Sequence, residues 1–257
     1  MFKLVISIVL LLIRLPLLIL LIAFGLLAIN FYPKDVSKFK KSHYLVMMLW
    51  MKVLSILLGI RTIIAGNVDN SADLYVSNHV TYLDIIIINK LLPVNFIAKS
   101  EIANWPIVGN LASRTGTLYI KRGDNIESKK IINEMQKRLD SNKKIFFFPE
   151  GRIGNGRRIK KFHSKLFKAV ENRQISIQPV VIRYPKSYPG DTSYSNDISV
   201  KSQEGEMIRL YLDFLMKPKS HVILHFLEKV NTRDYDFIQL TSLTEDKINK
   251  VLDKLDS

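Results

Sequence analysis

The chain has 257 residues, which is enough for one large or two small domains with a buried core. It contains no cysteine, which excludes disulfide bonds, thiolate metal sites and a cysteine nucleophile in this sequence. Its formal net charge of +15 favours anionic partners, which are nucleic acid, anionic lipid surfaces or phosphorylated small molecules.

The first predicted element is a long apolar segment within residues 1–33. From residue 4 to residue 31 the only charged side chain is Arg14, so the stretch is long enough to cross the hydrocarbon core of a bilayer. Because Pro16 lies inside it, we predict an anchor that is either a tilted, kinked span or a re-entrant hairpin with Arg14 reaching towards the interface. A cleaved signal peptide is the alternative, but the segment is longer than a signal-peptide core, and residues 30–33 form a poor cleavage site.

The lysines around this segment indicate its orientation. Lys3 precedes it, whereas four lysines follow it closely: Lys34, Lys38, Lys40 and Lys41. Positive charge collects on the cytoplasmic side of membrane proteins. We therefore predict a membrane protein whose remaining chain lies on the cytoplasmic face.

Residues 34–66 contain a second and weaker apolar segment. Lys52 and Arg61 interrupt it, which argues against a clean span. We predict an amphipathic helix in the membrane interface, with Trp50 at the depth of the headgroups. The alternative is a core helix of the domain that follows.

From residue 63 onward, short apolar strands alternate with amphipathic helices. The predicted strands lie at residues 74–76, 94–98, 116–120, 144–148, 175–184 and 222–227, and the predicted helices at 82–92, 125–142, 162–172 and 241–255. Residues 185–206 are predicted to form a loop. This alternation is typical of the α/β class, so we predict an α/β domain at residues 67–257.

The most informative motif is Asn78-His79-Val80-Thr81-Tyr82-Leu83-Asp84, which follows a predicted strand and opens a helix. If His79 lies in the turn and Asp84 one turn into the helix, the carboxylate can fold back and hold the imidazole, as Asp does in a catalytic triad. Such a His can deprotonate an alcohol. A surface His beside an unrelated helix-starting Asp is the simpler alternative.

Several nucleotide and hydrolase motifs are absent from the sequence. There is no G-x-S-x-G elbow, no phosphate-binding P-loop and no dinucleotide fingerprint. If His79 is a base, the nucleophile that it activates therefore belongs to a substrate, and a substrate hydroxyl that attacks an activated acyl group fits.

Two further blocks carry candidate substrate contacts. Residues 116–122 form a strand that ends in two cations, of which Arg122 could bind a phosphate in a bidentate manner. In residues 147–152 an apolar strand runs into a turn, where Glu150 could bond a substrate hydroxyl and Gly151 lets the backbone approach a ligand. Solvated strand ends would explain both blocks equally well.

A basic run follows the second block. Residues 151–170 contain no acidic side chain. They contain seven cations, namely Arg152, Arg157, Arg158, Lys160, Lys161, Lys165 and Lys168. Such a run near a membrane attracts anionic headgroups. Nucleic-acid binding and a solvated basic face are the alternatives, although few aromatic side chains are interleaved.

The blocks together resemble the glycerolipid acyltransferase superfamily, which includes the 1-acylglycerol-3-phosphate acyltransferases. The family's Asn-His with Asp five residues after the His matches Asn78, His79 and Asp84, and its G-x-x-F-I-x-R block matches residues 116–122. Its F-P-E-G block matches residues 148–151, and Pro179-Val180 matches a later strand. The resemblance covers roughly residues 55–230 and departs from the common pattern at Arg152-Ile153-Gly154, where many members have Thr-Arg-Ser.

The resemblance implies a fold, a reaction and a set of site residues. The expected fold is a mixed sheet flanked by helices and preceded by N-terminal membrane-associated helices, with the acyltransferase catalytic domain at residues 67–257. His79, oriented by Asp84, is expected to deprotonate a lysophospholipid hydroxyl, which attacks an acyl-CoA or acyl-carrier-protein thioester. The expected substrate-binding residues are Asn78, Lys99, Gly116, Arg122, Glu150, Gly151 and Arg152. Neither a metal nor a bound cofactor is implied, and nucleic acid is not expected as a partner.

Four functional hypotheses remain from the sequence. The first is acylation of lysophosphatidic acid to phosphatidic acid, and the second is acylation of another lysophospholipid or a lyso-ornithine-type lipid. The third is a non-catalytic basic protein that binds membranes or nucleic acid. The fourth is a lipid hydrolase in which water replaces the alcohol at the same base.

Overall fold

A single mixed sheet organises the chain. The computed structural model describes residues 2–121, 123, 125–186, 198 and 206–256. The strands are β1 Ile60–Gly66, β2 Leu74–Ser77, β3 Val94–Lys99, β4 Leu118–Ile120, β5 Lys144–Phe147, β6 Ser176–Arg183, β7 Ser220–Phe226 and β8 Val230–Asn231. Their order is β1-β7-β6-β2-β5-β3-β4, with β8 beside β6. Strand β6 is antiparallel to β7 and β8, and the other pairs are parallel. The expected mixed sheet is thus confirmed.

Helices cover both faces of this sheet. They are α1 Phe2–Ala28, α2 Lys41–Leu57, α3 Leu83–Asn89, α4 Val108–Arg114, α5 Asn125–Asp140, α6 Met207–Met216 and α7 Phe237–Asp256. One apolar core joins the sheet to α1, α2, α3 and α6, and a second joins it to α5 and α7. In α5 the apolar residues Ile131, Met135 and Leu139 recur every four positions, so one face of the helix is buried.

The N-terminal helix α1 is continuous and packs along the domain. Pro16 lies inside it without ending it. It belongs to the only helical segment among the described residues that is long and apolar enough to cross a membrane, Phe2–Phe31, with a mean hydropathy of 3.0.

Helix α1 also packs against the first core, through Leu11, Leu15, Leu18 and Leu21. Arg14 donates to the carbonyls of Leu215, Lys217 and Pro218, at the C-terminal end of α6. Arg14, the only charge between residues 4 and 31, therefore caps a helix of the domain.

Side chains of the domain also hold the turn between α1 and α2. Arg114 donates to the carbonyls of Ile29 and Tyr32, and Lys143 donates to that of Phe39. The Trp50 indole donates to the Leu21 carbonyl of α1 at 2.9 Å, and its depth among the lipid headgroups stays a prediction. The helical hairpin is therefore fastened to the sheet domain at several points.

Some predicted elements differ from the structure. Residues 34–66 contain not only α2 but also β1, so the boundary predicted after residue 66 falls inside the sheet, where β1 pairs with β7. The helix predicted at 162–172 is a 3-10 helix, Ser164–Ala169, and the last helix begins at Phe237 rather than at residue 241. Helices α4 and α6 were not predicted. The loop predicted at 185–206 lies mostly outside the described residues.

Candidate active site

The candidate site lies where three neighbouring parallel strands end. Strands β2, β5 and β3 are adjacent in the sheet and run in the same direction. Their carboxyl ends lead into residues 78–84, 148–152 and 99–105. In open α/β sheets, ligands bind at this edge. Sheet order thus brings together three sequence blocks that are separated along the chain.

His79 and Asp84 form a hydrogen-bonded pair at this edge. His79 Nδ1 lies 2.9 Å from Asp84 Oδ2, and the Asp84 side chain is fully buried. The same oxygen accepts the backbone N–H groups of Val80 at 2.7 Å and Thr81 at 3.1 Å. These donors stabilise the charged carboxylate without water. The predicted pairing of His and Asp five residues apart therefore occurs, because the turn before α3 folds the chain back on itself.

The His79 ring is oriented by a second contact. It stacks on Phe148 with ring centroids 4.0 Å apart and an interplanar angle of 13°. Because the carboxylate accepts a hydrogen bond from Nδ1–H, the other ring nitrogen, Nε2, is left as a proton acceptor. Among the described residues Nε2 has no hydrogen-bond partner, and His79 lines a large cavity. This arrangement suits a general base.

The backbone of His79 is held from both sides. Its N–H donates to Glu150 Oε1 at 2.9 Å, and its carbonyl accepts the Gly154 N–H at 2.7 Å. Glu150 Oε2 accepts the Lys160 N–H at 2.9 Å. Burial raises the pKa of Glu150, while the two backbone hydrogen bonds and the charges of His79 and Lys160 act in the opposite direction. Both oxygens of Glu150 therefore accept hydrogen bonds within the protein, and its contact with a substrate hydroxyl stays a prediction.

Gly154, one of the residues that depart from the family pattern, lies against the Glu150 carboxylate. A Cβ atom at this position would lie 2.8 Å from Glu150 Oε2 and 3.5 Å from the His79 carbonyl oxygen. A side chain at position 154 would therefore displace the Glu150 carboxylate, which accepts the His79 N–H. Gly151, with a φ of 66°, provides the turn just after Glu150 and lines the cavity.

Two other expected substrate contacts have structural roles. Asn78 is buried, donates to the Ile182 carbonyl and accepts the Ile182 N–H, so its amide joins β2 to β6. Gly116 has a φ of 94°, and a Cβ there would meet the Asn95 side chain at 2.5 Å. Its carbonyl accepts a hydrogen bond from Arg138. Neither residue lines the cavity.

The cavity beside His79 has a volume of about 1390 Å³ and two chemically different ends. One end is apolar and lies between the α1–α2 hairpin and α4, where it is lined by residues such as Ile29, Met47, Leu54, Val108 and Leu111. At its wall a Cβ on Gly25 would meet the Trp50 indole nitrogen at 2.8 Å. The volume exceeds that of a typical small-molecule pocket, and the apolar end suits a hydrocarbon chain.

The other end of the cavity is cationic. Its described lining includes six basic residues, namely Lys99, Arg152, Arg158, Lys160, Lys161 and Lys165, and one acidic residue, Glu101. The expected Lys99 and Arg152 are thus both at the cavity. Arg122 lies outside the described residues. Within the part of the chain that the structure describes, no group of three or more His, Asp or Glu side chains could hold a metal ion.

Sequence reasoning missed several contributors to this site. Phe148 was recognised only as part of a motif, and Gly154 only as a departure from it. Tyr184, whose hydroxyl donates to Asp84 Oδ1 at 2.8 Å, was taken as the last residue of an apolar strand. No local signal marks such a residue, because its partner lies 100 positions away in the chain.

The sequence is similar to known acyltransferases. Residues 61–183 match the family model described as Acyltransferase. The lyso-ornithine lipid O-acyltransferase of Pseudomonas aeruginosa is 27% identical over 205 residues, which are 79% of this chain and 76% of that protein. The 1-acyl-sn-glycerol-3-phosphate acyltransferase of Neisseria gonorrhoeae is 32% identical over 111 residues, 43% of this chain and 44% of that protein.

A solved structure shares the fold. The crystal structure of the 1-acyl-sn-glycerophosphate acyltransferase PlsC from Thermotoga maritima superposes with a TM-score of 0.69 at 16% sequence identity. The match covers 99% of this chain and 98% of that one, so it includes the N-terminal helices.

Proposed function

We propose that this chain, whose residues 61–183 match the Acyltransferase family model, transfers a fatty acyl group from a thioester donor to the free hydroxyl of lysophosphatidic acid, giving phosphatidic acid. The donor is acyl-CoA or acyl-carrier protein. The observation that carries the proposal is the 2.9 Å hydrogen bond between His79 Nδ1 and Asp84 Oδ2 at the wall of a large cavity. That pair supplies a base, and the cavity supplies room for a lipid.

The reaction needs one base and no enzyme nucleophile. His79 Nε2 accepts the proton of the acceptor hydroxyl as the oxygen attacks the thioester carbonyl. Asp84 keeps the second proton on Nδ1 and stabilises the imidazolium that forms. When the tetrahedral intermediate collapses, the carbon–sulfur bond breaks and the imidazolium returns its proton to the leaving thiolate. The products are the new ester and the free thiol of the donor.

The two ends of the cavity match the two parts of the substrates. The apolar end beside α1, α2 and α4 takes hydrocarbon chains, and the cationic end takes phosphate. Because α1 packs along the domain and exposes apolar side chains such as Phe2, Leu12 and Phe24, it serves as a retained membrane anchor. The anchor keeps the cavity beside the bilayer that holds the lipid, with the domain on the cytoplasmic face.

The lining charges favour a phosphate acceptor. The described wall of the cavity carries six basic side chains and one acidic side chain. A phosphomonoester carries up to two negative charges and benefits from every cation nearby. An ornithine headgroup carries an ammonium beside its carboxylate, and Glu101 is the only acidic residue of that wall that could receive it.

Lyso-ornithine lipid is nevertheless the second candidate acceptor. The relative from Pseudomonas aeruginosa carries that name and aligns with 79% of this chain, a larger share than the relative from Neisseria gonorrhoeae. The chemistry at His79 would be the same for both acceptors. They differ only in the groups that meet the cationic end of the cavity.

An acyl-transfer assay separates these acceptors. Purified protein in detergent is given labelled oleoyl-CoA with lysophosphatidic acid, lyso-ornithine lipid, lysophosphatidylcholine or no acceptor. The same assay is run with His79→Ala and with a control, His221→Ala, on β7 outside the cavity. We expect phosphatidic acid as the main product and about 10²- to 10⁴-fold less of it with His79→Ala alone.

Other outcomes of this assay are equally informative. Product from lyso-ornithine lipid alone would move the proposal to the second acceptor. Fatty acid released without an acceptor, in a manner that needs His79, would indicate a hydrolase. If neither oleoyl-CoA nor an oleoyl-carrier protein gave an ester with any acceptor, the proposed function would be wrong.

A further inference from the structure

Tyr184 contacts the oxygen of Asp84 that does not face His79. Its hydroxyl donates to Asp84 Oδ1 at 2.8 Å, and both side chains are fully buried. The other oxygen, Oδ2, accepts from His79 Nδ1 and from the backbone of Val80 and Thr81. Tyr184 therefore adds a donor on the far side of the carboxylate, opposite the base.

The end of β6 holds this hydroxyl in a fixed place. Side chains alternate along a strand, so Ile182 and Tyr184 point to the same face of the sheet, and both belong to the core beside α3. The backbone of Ile182 is bonded in both directions by the Asn78 amide. On the opposite face the buried Arg183 pairs with Asp256 at 2.7 Å. Contacts on both faces thus immobilise the strand from which Tyr184 reaches Asp84.

We propose that Tyr184 is a positioning residue of the reaction, which acts on His79 through Asp84. The inference rests on the proposed function, because it assigns a part in the same proton transfer. The hydrogen bond from the Tyr184 hydroxyl fixes the plane of the Asp84 carboxylate and stabilises its negative charge. Asp84 then holds the proton of His79 Nδ1 by a hydrogen bond and does not remove it from the ring.

Removal of this hydroxyl has consequences that differ from a loss of packing. Without it, one oxygen of a fully buried carboxylate loses a charge-assisted hydrogen bond. The carboxylate gains freedom to rotate, and it attracts the proton of His79 more strongly. Turnover should fall because the imidazole is held less well. The activity should also need a higher pH, because the His79–Asp84 pair then retains its proton more strongly.

The test compares two buried tyrosines that each lose only a hydroxyl. Tyr184→Phe removes the donor to Asp84. Tyr75→Phe is the matched control, since the Tyr75 ring is also fully buried in the same core and its hydroxyl donates to a carbonyl, that of Asp69, at 2.8 Å. Both variants are assayed as full-length protein for acyl transfer across a range of pH, and their melting temperatures are measured.

The expected result is specific to Tyr184. A hydrogen bond to a charged group corresponds to a factor of about 10 to 100, so kcat of Tyr184→Phe should fall by that factor. KM should stay within about twofold, because Tyr184 does not line the described cavity. The acid limb of the pH–activity profile should move to higher pH, and Tyr75→Phe should keep the wild-type kcat and profile.

A double variant tests whether the effect passes through Asp84. In an Asp84→Asn background, Tyr184→Phe should change kcat no further, since residues that act as a unit are not additive. A kcat and pH profile of Tyr184→Phe equal to those of Tyr75→Phe would overturn the inference. So would a Tyr184→Phe protein that fails to fold while Tyr75→Phe folds, because the hydroxyl would then serve the fold. A wild-type protein without acyl transfer would instead refute the proposed function itself.

Discussion

The carboxylate of Glu150 accepts the backbone N–H of His79 at 2.9 Å, so the candidate base is held by a residue 71 positions later in the chain. The same carboxylate accepts the Lys160 N–H from the basic loop. Glu150 thereby connects the turn that carries His79 with the segment that forms the cationic end of the cavity. This link gives the glutamate of the Phe-Pro-Glu-Gly motif a structural role beside the candidate base.

Replacement of Glu150 by glutamine should reduce turnover. A glutamine has one acceptor oxygen and one NH₂ group. Its oxygen can accept the backbone N–H of His79 or that of Lys160, and its NH₂ group then faces the remaining N–H, so that two donors meet. We expect kcat to fall by a factor of about 10 to 100, which corresponds to one hydrogen bond to a charged group. The control is Glu127→Gln on α5, which breaks an ion pair with Lys130 on the same helix. Equal kcat values for both variants in the acyl-transfer assay would contradict the role of Glu150.

His79 and Asp84 should behave as one unit. We expect His79→Ala and Asp84→Ala each to lower kcat by about 10²- to 10⁴-fold, because each removes general-base catalysis. The double variant should be no slower than the slower single variant, since the second change has nothing left to remove. Circular dichroism establishes that the variants are folded. Independent losses that multiply in the double variant would show that Asp84 does not act through His79.

Loss of Arg14 should destabilise the attachment of α1. Its guanidinium donates to three carbonyls at the end of α6, at 2.6 to 3.2 Å, where the helix dipole also favours a cation. Arg14→Leu should lower the free energy of unfolding by about 1–2 kcal/mol. Thermal unfolding in detergent measures this loss. Lys3→Leu, on an exposed position of the same helix, is the control and should leave the melting temperature unchanged.

Lys90 should make stability depend on pH in the alkaline range. Burial, followed by the charge of Lys52, lowers the pKa of Lys90 from 10.5 to about 8. Between these two values the unfolded chain binds more protons than the folded one. The free energy of unfolding therefore rises as the pH increases through this window. Below pH 8 it has its lower value, because Lys90 is then charged in the folded protein as well. The Lys90→Met variant should lose this rise, whereas Lys129→Met, on an exposed position, should keep it. Unfolding by urea at several pH values measures the slope, and identical slopes for the two variants would contradict the prediction.

The absence of cysteine permits a direct test of orientation. A single cysteine introduced by Lys129→Cys on α5 should be shielded from a membrane-impermeant maleimide in intact spheroplasts and labelled after lysis, because the domain is expected on the cytoplasmic face. The unaltered chain should give no label under either condition. Labelling in intact spheroplasts would place the domain on the opposite side of the membrane.

The order of strands and helices was predictable in outline because it depends on local chemistry. The apolar period of residues 125–142 predicted α5 almost to its ends, and the apolar run before Pro149 predicted β5. Strand β1 was missed because it continues an apolar stretch that resembles the end of a helix. Only its pairing with β7, far along the chain, gives it an extended conformation.

The sequence by itself determined the family resemblance, the apolar N-terminal segment, the basic run and the pairing of His79 with Asp84. These features depend on residue types at short, fixed spacings. Tertiary structure alone decided that Asn78 joins two strands, that Glu150 holds the His79 backbone and that Tyr184 bonds Asp84. Each of these contacts spans between 71 and 104 residues, so it exists only once the sheet order has placed distant strand ends side by side.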